Sequence, residues 1–167
     1  MTDDSRLHFG GVRHLVQQMR RRWNRHVSVG DLFTDRWQTA EDYGWGDGTS
    51  CYDNVLVLGD VMVGRHTWIG PGCVLDGSGG LTIGDYCTIG AGSQIYSHDS
   101  VAWATSMGEK PYERAPTAIG SGVFIGPNAV IAKGVTIGDR AIIGALSFVN
   151  RNVLAGAKVH GTPARET

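Results

Sequence analysis

The chain has 167 residues, which is enough for one domain with a buried core. Fifteen Lys and Arg against sixteen Asp and Glu give a net charge of −1, so neither nucleic acid nor an anionic membrane is expected as the main partner. No stretch approaches the roughly 18 apolar residues of a transmembrane helix, and the N-terminus lacks the apolar run of a signal peptide. We therefore expect a cytoplasmic protein.

The first predicted element is a short amphipathic helix with a basic face. Its apolar stripe at helical spacing comprises Val12, Leu15, Val16, Met19, Trp23 and Val27. The arginines largely outside that stripe are Arg13, Arg20, Arg21, Arg22 and Arg25. Such a face can contact a membrane surface or an anionic sugar nucleotide, but we favour a helix that caps one end of the repeats that follow.

Residues 31–50 are rich in turn-forming and aromatic residues, which predicts an irregular segment. We therefore divide the chain into two parts. Residues 1–50 form the N-terminal helix and an irregular lead-in, and residues 51–167 form a repetitive domain that ends in a short tail.

An aliphatic residue recurs at every sixth position through most of the second part. The first run is Val57, Val63, Ile69, Leu75, Ile83, Ile89 and Ile95, and the second is Ile119, Ile125, Ile131, Ile137, Ile143 and Val149. A period of six is neither helical nor the alternation of a single strand, and it fits one short strand and one corner per six residues. Small or β-branched residues two positions earlier would face the same narrow interior.

Two cysteines, Cys73 and Cys87, occupy such interior positions. The chain's three cysteines form no C-x-x-C pair, so we expect buried, reduced thiols rather than metal ligands.

The six-residue period is interrupted twice. The step from Leu75 to Ile83 is eight residues, with the surplus in the glycine-rich stretch 77–80. Between residues 97 and 115 the period disappears, and the segment carries His, Trp, Tyr and several charges. We predict a loop extruded from a regular stack at about 97–115, and loops held on rigid scaffolds often carry functional residues.

The repeat of Ile, Val or Leu followed by Gly, with a small residue four positions after the aliphatic one, resembles the hexapeptide repeat. The resemblance covers roughly residues 51–165, and the chain is similar to hexapeptide-repeat acyltransferases. It implies an all-β fold, a left-handed parallel β-helix of triangular cross-section with three hexapeptides per coil. It also implies a homotrimer with active sites between subunits.

Three further segments resemble functional motifs of this family. His98, within Gln94–Asp99, resembles the catalytic histidine, and it lies where the six-residue period is interrupted. Ile143–Arg151 resembles the IGAGS-V-x-K segment along which coenzyme A runs, and Gly161–Arg165 is close to the GNPAK ending that holds the adenine end. Together these matches imply an enzyme that uses acetyl-CoA as acyl donor and needs no metal.

The resemblance implies a role for specific residues. His98 would be the general base, and Asp99, directly after it, would orient it. A backbone N–H in the repeats of Gly126 or Ala145 would stabilise the oxyanion, and a nucleophilic cysteine is not required. The residues expected to bind coenzyme A are Gly126, Pro127, Ala145, Asn150, Arg151 and Arg165. The loop candidates for acceptor binding are Tyr96, Trp103 and Tyr112, whose aromatic faces suit a sugar ring, together with Glu113.

The nearest group within the family is that of the sugar O-acetyltransferases and the acyltransferases of surface-polysaccharide biosynthesis, such as lipopolysaccharide O-antigen. It implies acetyl transfer to a hydroxyl of a sugar or polysaccharide precursor. The chain departs from the maltose and galactoside acetyltransferases, because their N-terminal helical segment is not found and Asp99 replaces the usual Pro after the histidine. An acidic residue there is frequent in amino-sugar N-acyltransferases, so a nucleotide-linked amino sugar is the alternative acceptor.

Three other classes share the repeat. A γ-class carbonic anhydrase would have a second histidine five residues after the loop histidine, where this chain has Trp103. A serine O-acetyltransferase needs a larger helical domain than about fifty residues can form. A non-catalytic scaffold protein remains an alternative, and it predicts no coenzyme A binding.

Overall fold

The computed structural model describes the backbone of residues 4–167 and the side chains of residues 10–167. Its helices are α1 (Asp4–Trp23), a 3-10 helix (Gly30–Leu32), α2 (Arg36–Asp42) and α3 (Val101–Thr105). α1 confirms the predicted amphipathic helix, although the helix does not extend to Val27. It ends at Trp23, because Asn24 takes a left-handed conformation with φ of 50°. No helix in the described part of the chain has the length and apolarity needed to cross a membrane.

The remaining chain forms a left-handed parallel β-helix, as the period predicted. In chain order its strands are β1 (Ser50–Cys51), β2 (Leu56–Val63), β3 (Trp68–Ile69), β4 (Val74–Ile83), β5 (Thr88–Ile89), β6 (Gln94–Ile95), β7 (His98–Asp99), β8 (Glu113–Arg114), β9 (Thr117–Ile119), β10 (Phe124–Ile125), β11 (Val130–Ile131), β12 (Thr136–Ile137), β13 (Ile142–Ile143), β14 (Phe148–Val149), β15 (Lys158–Gly161) and β16 (Ala164–Glu166).

The strands stack into three flat faces. Face 1 contains β1, β3, β5, β10, β13 and β15, in that order. Face 2 contains the first halves of β2 and β4, followed by β6, β11 and β14. Face 3 contains the second halves of β2 and β4, followed by β9, β12 and a bridge at Val153. At the C-terminal end β16 turns back antiparallel to β15, so the stack of parallel coils stops there.

The pairing of strands shows that one coil takes three hexapeptides. Ile125 lies beside Ile143, eighteen residues later. Leu75 lies beside Ile95, twenty residues later, because β4 accommodates two extra residues where Gly59 and Val61 pair with Gly77 and Leu81. Both interruptions of the period therefore leave the ladder in register above and below them.

The recurring aliphatic residues fill the interior of the coils. Most are at most 3% exposed, including Ile69, Leu75, Ile89, Ile95, Ile125, Ile131, Ile137, Ile143 and Val149. The positions two residues earlier are equally buried, and they hold small or β-branched side chains such as Cys73, Cys87, Val123, Ala129 and Ala141. The side chains between them point outward, because successive residues of a strand face opposite sides.

The helix that covers the first coil is α2 rather than α1, so the capping interpretation of α1 is wrong. α2 packs against β1, and its Ala40 is 1% exposed. Trp45, just after α2, is 7% exposed and donates its indole N–H to the Val61 carbonyl at 3.0 Å. α2 and Trp45 therefore cover the apolar surface at the end of the core without α1. α1 packs instead against the 3-10 helix, and none of its described side chains is buried.

The loop predicted at about 97–115 is present. It leaves the coil after Ser97 and returns at Ala115, whose N–H donates to the Ser97 carbonyl at 2.9 Å. Inside it, β7 and β8 form a two-stranded antiparallel ribbon, and α3 lies between them. The loop therefore starts and ends at one corner of the stack, where face 2 meets face 3.

Candidate active site

His98 lies at the base of the loop, one residue beyond the corner that ends face 2. It pairs with Arg114 in the ribbon of β7 and β8, and its backbone N–H donates to Asp76, so its backbone is held by two contacts. Its side chain is 29% exposed. The imidazole is therefore held by the scaffold yet reachable from solvent, as a catalytic base must be.

The partner of the imidazole is Asp76, which lies in the coil below. The Nδ1 atom of His98 is 2.6 Å from Oδ2 of Asp76, whose side chain is fully buried. The same Oδ2 accepts backbone N–H groups from Ser97 at 2.9 Å and His98 at 3.1 Å, while Oδ1 accepts the Ser78 hydroxyl and N–H. Burial raises the pKa of Asp76, but hydrogen bonds from Ser78, Ser97 and His98 outweigh it and lower the pKa to about 2.

This arrangement fixes which ring nitrogen carries the proton. A carboxylate with a pKa of about 2 is ionised near neutral pH and can only accept hydrogen bonds, so Nδ1 of His98 must donate to Asp76. The lone pair of the neutral ring is then on Nε2. The buried acid sets the tautomer, and the exposed nitrogen is the one able to take a proton.

An open groove runs past the ring along face 2. Its lining combines His98 and its loop neighbours with outward-facing residues of the two later coils, namely Tyr96, Asp99, Ser100, Val101, Val130, Ala132, Lys133 and Phe148. The Tyr96 hydroxyl donates to the Gln94 side chain at 2.8 Å, which fixes the phenol ring against the sheet. The groove is therefore apolar along the sheet and polar at the corner.

Asp99 does not contact His98 in the way its sequence position suggests. Its Oδ2 lies 2.8 Å from Nζ of Lys133, and its Oδ1 accepts the backbone N–H of Val101 at 3.0 Å. The Lys133 ammonium lowers the pKa of Asp99. Adjacent residues of a strand point to opposite sides, so His98 and Asp99 diverge. The position expected to orient the histidine is instead occupied by Asp76.

The aromatic residues of the loop lie near the histidine. The Tyr112 ring is 6.4 Å from the His98 ring between centroids, and Trp103 lies 5.5 Å from Tyr112. Both are partly exposed, at 45% and 44% respectively. Glu113 turns away toward Lys133, with Oε2 at 2.8 Å from Nζ. The structure therefore places Tyr112 beside the imidazole, Trp103 against Tyr112, and Tyr96 in the groove with His98. Glu113 is part of an ion-pair cluster.

The residues expected to bind coenzyme A fall into two groups. Asn150, Arg151 and Arg165 line one pocket at the C-terminal end of the stack, together with Glu166. Pro127 and Ala145 are exposed at the other edge of face 2, on the corner that face 2 shares with face 1. Within one chain the width of face 2 separates this second group from His98.

Gly126 has a structural reason to be glycine. Its N–H donates to the Ile143 carbonyl at 2.8 Å, and a Cβ would collide with the backbone nitrogen of Ala145 in the next coil. Its amide is therefore part of the ladder and is not free to stabilise an oxyanion. Of the two repeats considered for that role, the exposed corner at Ala145 is the remaining candidate.

The cysteines are all buried, as expected for Cys73 and Cys87. Burial raises the pKa of Cys51 to about 12 and raises those of Cys73 and Cys87. Thiols of this kind carry little thiolate and make poor nucleophiles. Among the residues whose side chains the structure describes, no three His, Cys, Asp or Glu groups cluster closely enough to hold a metal ion.

Two residues of the site escaped the sequence reasoning, Asp76 and Lys133. Asp76 replaces the glycine that usually follows an aliphatic repeat position, and it precedes the two-residue surplus. Because Leu75 stacks beneath Ile95, both interruptions of the period fall at the same corner. Aligning the two coils would have placed Asp76 below the loop histidine. Lys133 gave no comparable signal, since a lysine at a corner is usually a solvated side chain.

Comparison with known families supports the repeat. Residues 60–97 match the family described as hexapeptide repeat of succinyl-transferase, and residues 116–151 match bacterial transferase hexapeptide (six repeats). The two matches end and resume on either side of the loop. The coils on both sides of the loop are thus similar to hexapeptide-repeat transferases.

Two curated proteins resemble this hexapeptide-repeat chain in sequence. A chloramphenicol acetyltransferase of Morganella morganii is 39% identical over 107 residues, which are 52% of this chain and 50% of that protein. Nodulation protein L of Rhizobium meliloti (strain 1021) is 40% identical over 113 residues, 64% of this chain and 58% of that protein. The hexapeptide-repeat chain thus spans about half the length of the curated relatives it matches.

Solved structures resemble it over a greater length. A hexapeptide-repeat acetyltransferase of Vibrio cholerae O1 biovar eltor, complexed with acetyl coenzyme A, is 26% identical with a TM-score of 0.71, covering 99% of this chain and 91% of that one. A galactoside acetyltransferase in complex with coenzyme A is 22% identical with a TM-score of 0.69, covering 100% and 82%. The second likeness shows the fold alone.

Proposed function

We propose that this hexapeptide-repeat protein is an acyl-CoA-dependent acyltransferase that moves an acetyl group from acetyl-CoA to a hydroxyl of a sugar or polysaccharide precursor. The observation that carries the proposal is the hydrogen bond of 2.6 Å between the buried Asp76 and Nδ1 of His98. It leaves Nε2 unprotonated beside an open groove. The acetyl-CoA complex of the Vibrio relative supports the choice of donor.

The proposed mechanism needs one base and no covalent enzyme intermediate. His98 accepts the proton of the acceptor hydroxyl while the hydroxyl oxygen attacks the thioester carbonyl carbon. The C–S bond breaks when the tetrahedral intermediate collapses, and His98 returns the proton to the leaving thiolate. The ionised Asp76 stabilises the imidazolium between these two steps. General base catalysis of this kind contributes about 10²- to 10⁴-fold.

A homotrimer is part of the proposal. In one chain His98 lies at one edge of face 2, whereas Pro127 and Ala145 lie at the other. A threefold arrangement of three prisms can bring the first edge of one subunit against the second edge of its neighbour. The donor would then lie in the cleft between subunits. Arg151 and Arg165 supply guanidinium groups suited to its phosphates.

The acceptor is proposed from the aromatic side chains of the loop. Tyr112 and Trp103 offer partly exposed aromatic faces close to the base, and such faces bind the apolar side of sugar rings. Chloramphenicol is a second candidate acceptor, because the similar curated protein of Morganella morganii carries the name chloramphenicol acetyltransferase. It also presents a hydroxyl, so the same base would serve.

The proposal is tested by following thiol release from acetyl-CoA with sugars, nucleotide-linked amino sugars and chloramphenicol as acceptors. The native chain should turn over a hydroxyl acceptor, and His98→Ala should lower kcat by about 10²- to 10⁴-fold. His66→Asn is the matched control, since His66 is an exposed histidine whose left-handed conformation asparagine tolerates. Equal rates for the native chain and His98→Ala would contradict the mechanism. Acetylation at nitrogen alone would assign the alternative acceptor, and failure to bind coenzyme A would favour a scaffold protein.

A further inference from the structure

α1 leaves an apolar stripe accessible to solvent. Trp23 at its C-terminal end is 58% exposed. Four other residues of the stripe are only half-buried, namely Val12, Leu15, Val16 and Met19. Since α2 and Trp45 already cover the end of the core, this stripe is not required to close the β-helix.

The same helix and the residues just after it concentrate positive charge. Between residues 10 and 27 there are five arginines and no acidic residue, and all five arginines are exposed. A net charge of −1 for the whole chain therefore leaves −6 for the remaining residues. The nearly neutral total conceals a strongly basic segment, so the exclusion of anionic surfaces from total charge does not apply to α1.

The arginines are placed around the stripe in a specific way. On a helix of 3.6 residues per turn, Arg13 and Arg20 lie along one edge of the apolar stripe and Arg22 along the other. Arginines at both edges can keep their charge at the level of lipid headgroups while the stripe enters the apolar layer below.

Exposed aromatic residues extend this surface beyond α1. Phe33 is 65% exposed and Trp37 is 52% exposed, and Trp37 lines one groove with Met19 and Trp23 of the helix. Tryptophan is enriched at membrane–water interfaces, where one side of the ring is apolar and the other polar. We define α1 from residue 10 onward, Phe33 and Trp37 as the basic helix surface.

We propose that the basic helix surface binds the anionic headgroup layer of a phospholipid bilayer and holds the protein at the membrane. A nucleic acid would be recognised by the arginines but gives no role to the apolar stripe. A second copy of the chain would cover the stripe but gives no role to arginines along both of its edges. An anionic bilayer matches both properties, and the proposal does not depend on the chemistry at His98.

The test is co-sedimentation of the full chain with vesicles. With equal parts of phosphatidylglycerol and phosphatidylcholine we expect binding that weakens as salt is raised, and with phosphatidylcholine alone much weaker binding. The variant Arg13→Gln/Arg20→Gln/Arg22→Gln should partition on the order of 100-fold less, since each basic residue near an anionic surface contributes about fivefold. Trp23→Ala should weaken binding to the anionic vesicles at every salt concentration.

A matched control removes the same charge elsewhere. The variant Lys110→Gln/Arg140→Asn/Lys158→Gln changes three exposed cations outside the basic helix surface, and it should bind like the native chain. Equal losses in the two triple variants, or no binding to anionic vesicles, would overturn the proposal. Binding of duplex DNA without vesicle binding would assign a nucleic acid partner instead. A change of oligomeric mass in Trp23→Ala without vesicle binding would assign a second copy.

Discussion

Asp76 is the residue on which the proposed site depends. It is a fully buried carboxylate that accepts hydrogen bonds from two coils and from the loop that carries His98. A buried charge without partners would be costly, and here each oxygen is satisfied. Because the carboxylate has no exposed surface, its influence on chemistry must pass through the imidazole. Asp76 is thus a positioning residue.

We expect Asp76→Asn to lower kcat by roughly 10- to 10³-fold, less than the loss in His98→Ala, because the base remains but its orientation and imidazolium stabilisation are lost. The KM for acetyl-CoA should stay unchanged, since Asp76 cannot touch the donor. Steady-state kinetics of both variants provide the measurement. An equal loss in Asp60→Asn, where the carboxylate is exposed, would show that the effect is not specific.

Asp76 also makes stability depend on acid. Its pKa is about 2 in the folded chain against 3.8 as the ordinary value, so its contribution is present above about pH 4 and is lost as the pH falls toward 2. The difference corresponds to a free energy of unfolding on the order of 2 kcal/mol. Urea unfolding across this range should show the decline in the native chain and a smaller one in Asp76→Asn.

At the scale of single residues, the sequence predicted the base, His98, but not its partner, Asp76. His98 stands at a visible break in the period, whereas Asp76 is twenty-two positions earlier and becomes its neighbour only because one coil lies on the next. Asp99, adjacent in sequence, was the natural choice, but the alternation of a strand directs it to Lys133. Sequence proximity was a poor guide to contact at a corner.

Among the elements, both strands of the loop are held to the coils by the side chain of Lys133. Lys133 projects from the corner after β11 and contacts Asp99 near the start of the loop and Glu113 near its end, each at 2.8 Å. Both acids belong to the strands that form the ribbon of β7 and β8. The cluster therefore holds the two sides of the loop to the stack beside the groove.

We expect Lys133→Gln to raise the KM for the acceptor by up to about fivefold, as suits loss of an exposed ion pair, with a smaller change in kcat. High salt should produce the same trend in the native enzyme, because exposed charges are screened. Lys158→Gln removes an exposed lysine from another coil and serves as the control. Kinetics in which both variants match the native chain would show that the cluster does not position the loop.

The elements differ in how well they could be predicted. The short strands follow from a six-residue period that the narrow interior enforces, since each recurring aliphatic such as Ile131 must enter the same core. α2 was missed because its seven residues lie in a turn-rich segment, where a single Asp35 cap and contact with β1 decide the conformation. The sequence pattern predicted helix α1 but not its packing, because an apolar stripe does not identify the surface against which it packs.

For the whole molecule, more than one chain is required if His98 and the predicted donor-binding residues at the opposite edge of face 2 are to meet. The edge with His98 and the edge with Ala145 belong to different corners of the prism. We therefore expect each proposed active site to take the base from one subunit and the donor-binding corner from the next. In this assembly, a flat outer face of the β-helix would serve as the interface between subunits.

Subunit mixing tests this directly. His98→Ala and Ala145→Glu should each be inactive, the second because a bulky charge blocks the proposed donor channel. When the two variants are unfolded, mixed in equal amounts and refolded together, about a quarter of the clefts should hold a native residue from both subunits, and activity should return to that extent. Recovery of no activity, with native mass spectrometry showing mixed trimers, would place His98 and the donor-binding corner of the same site in one subunit.

The closure of the loop at a single point has a consequence for how this architecture can change. Because Ala115 hydrogen-bonds to Ser97, residues 98–114 depart from the coil and rejoin it without altering the rise of the helix. Segments of other lengths could be exchanged there at a modest entropic cost, since closure entropy grows slowly with length. Under the proposed function, the loop that contributes to acceptor binding can therefore vary while the scaffold is kept.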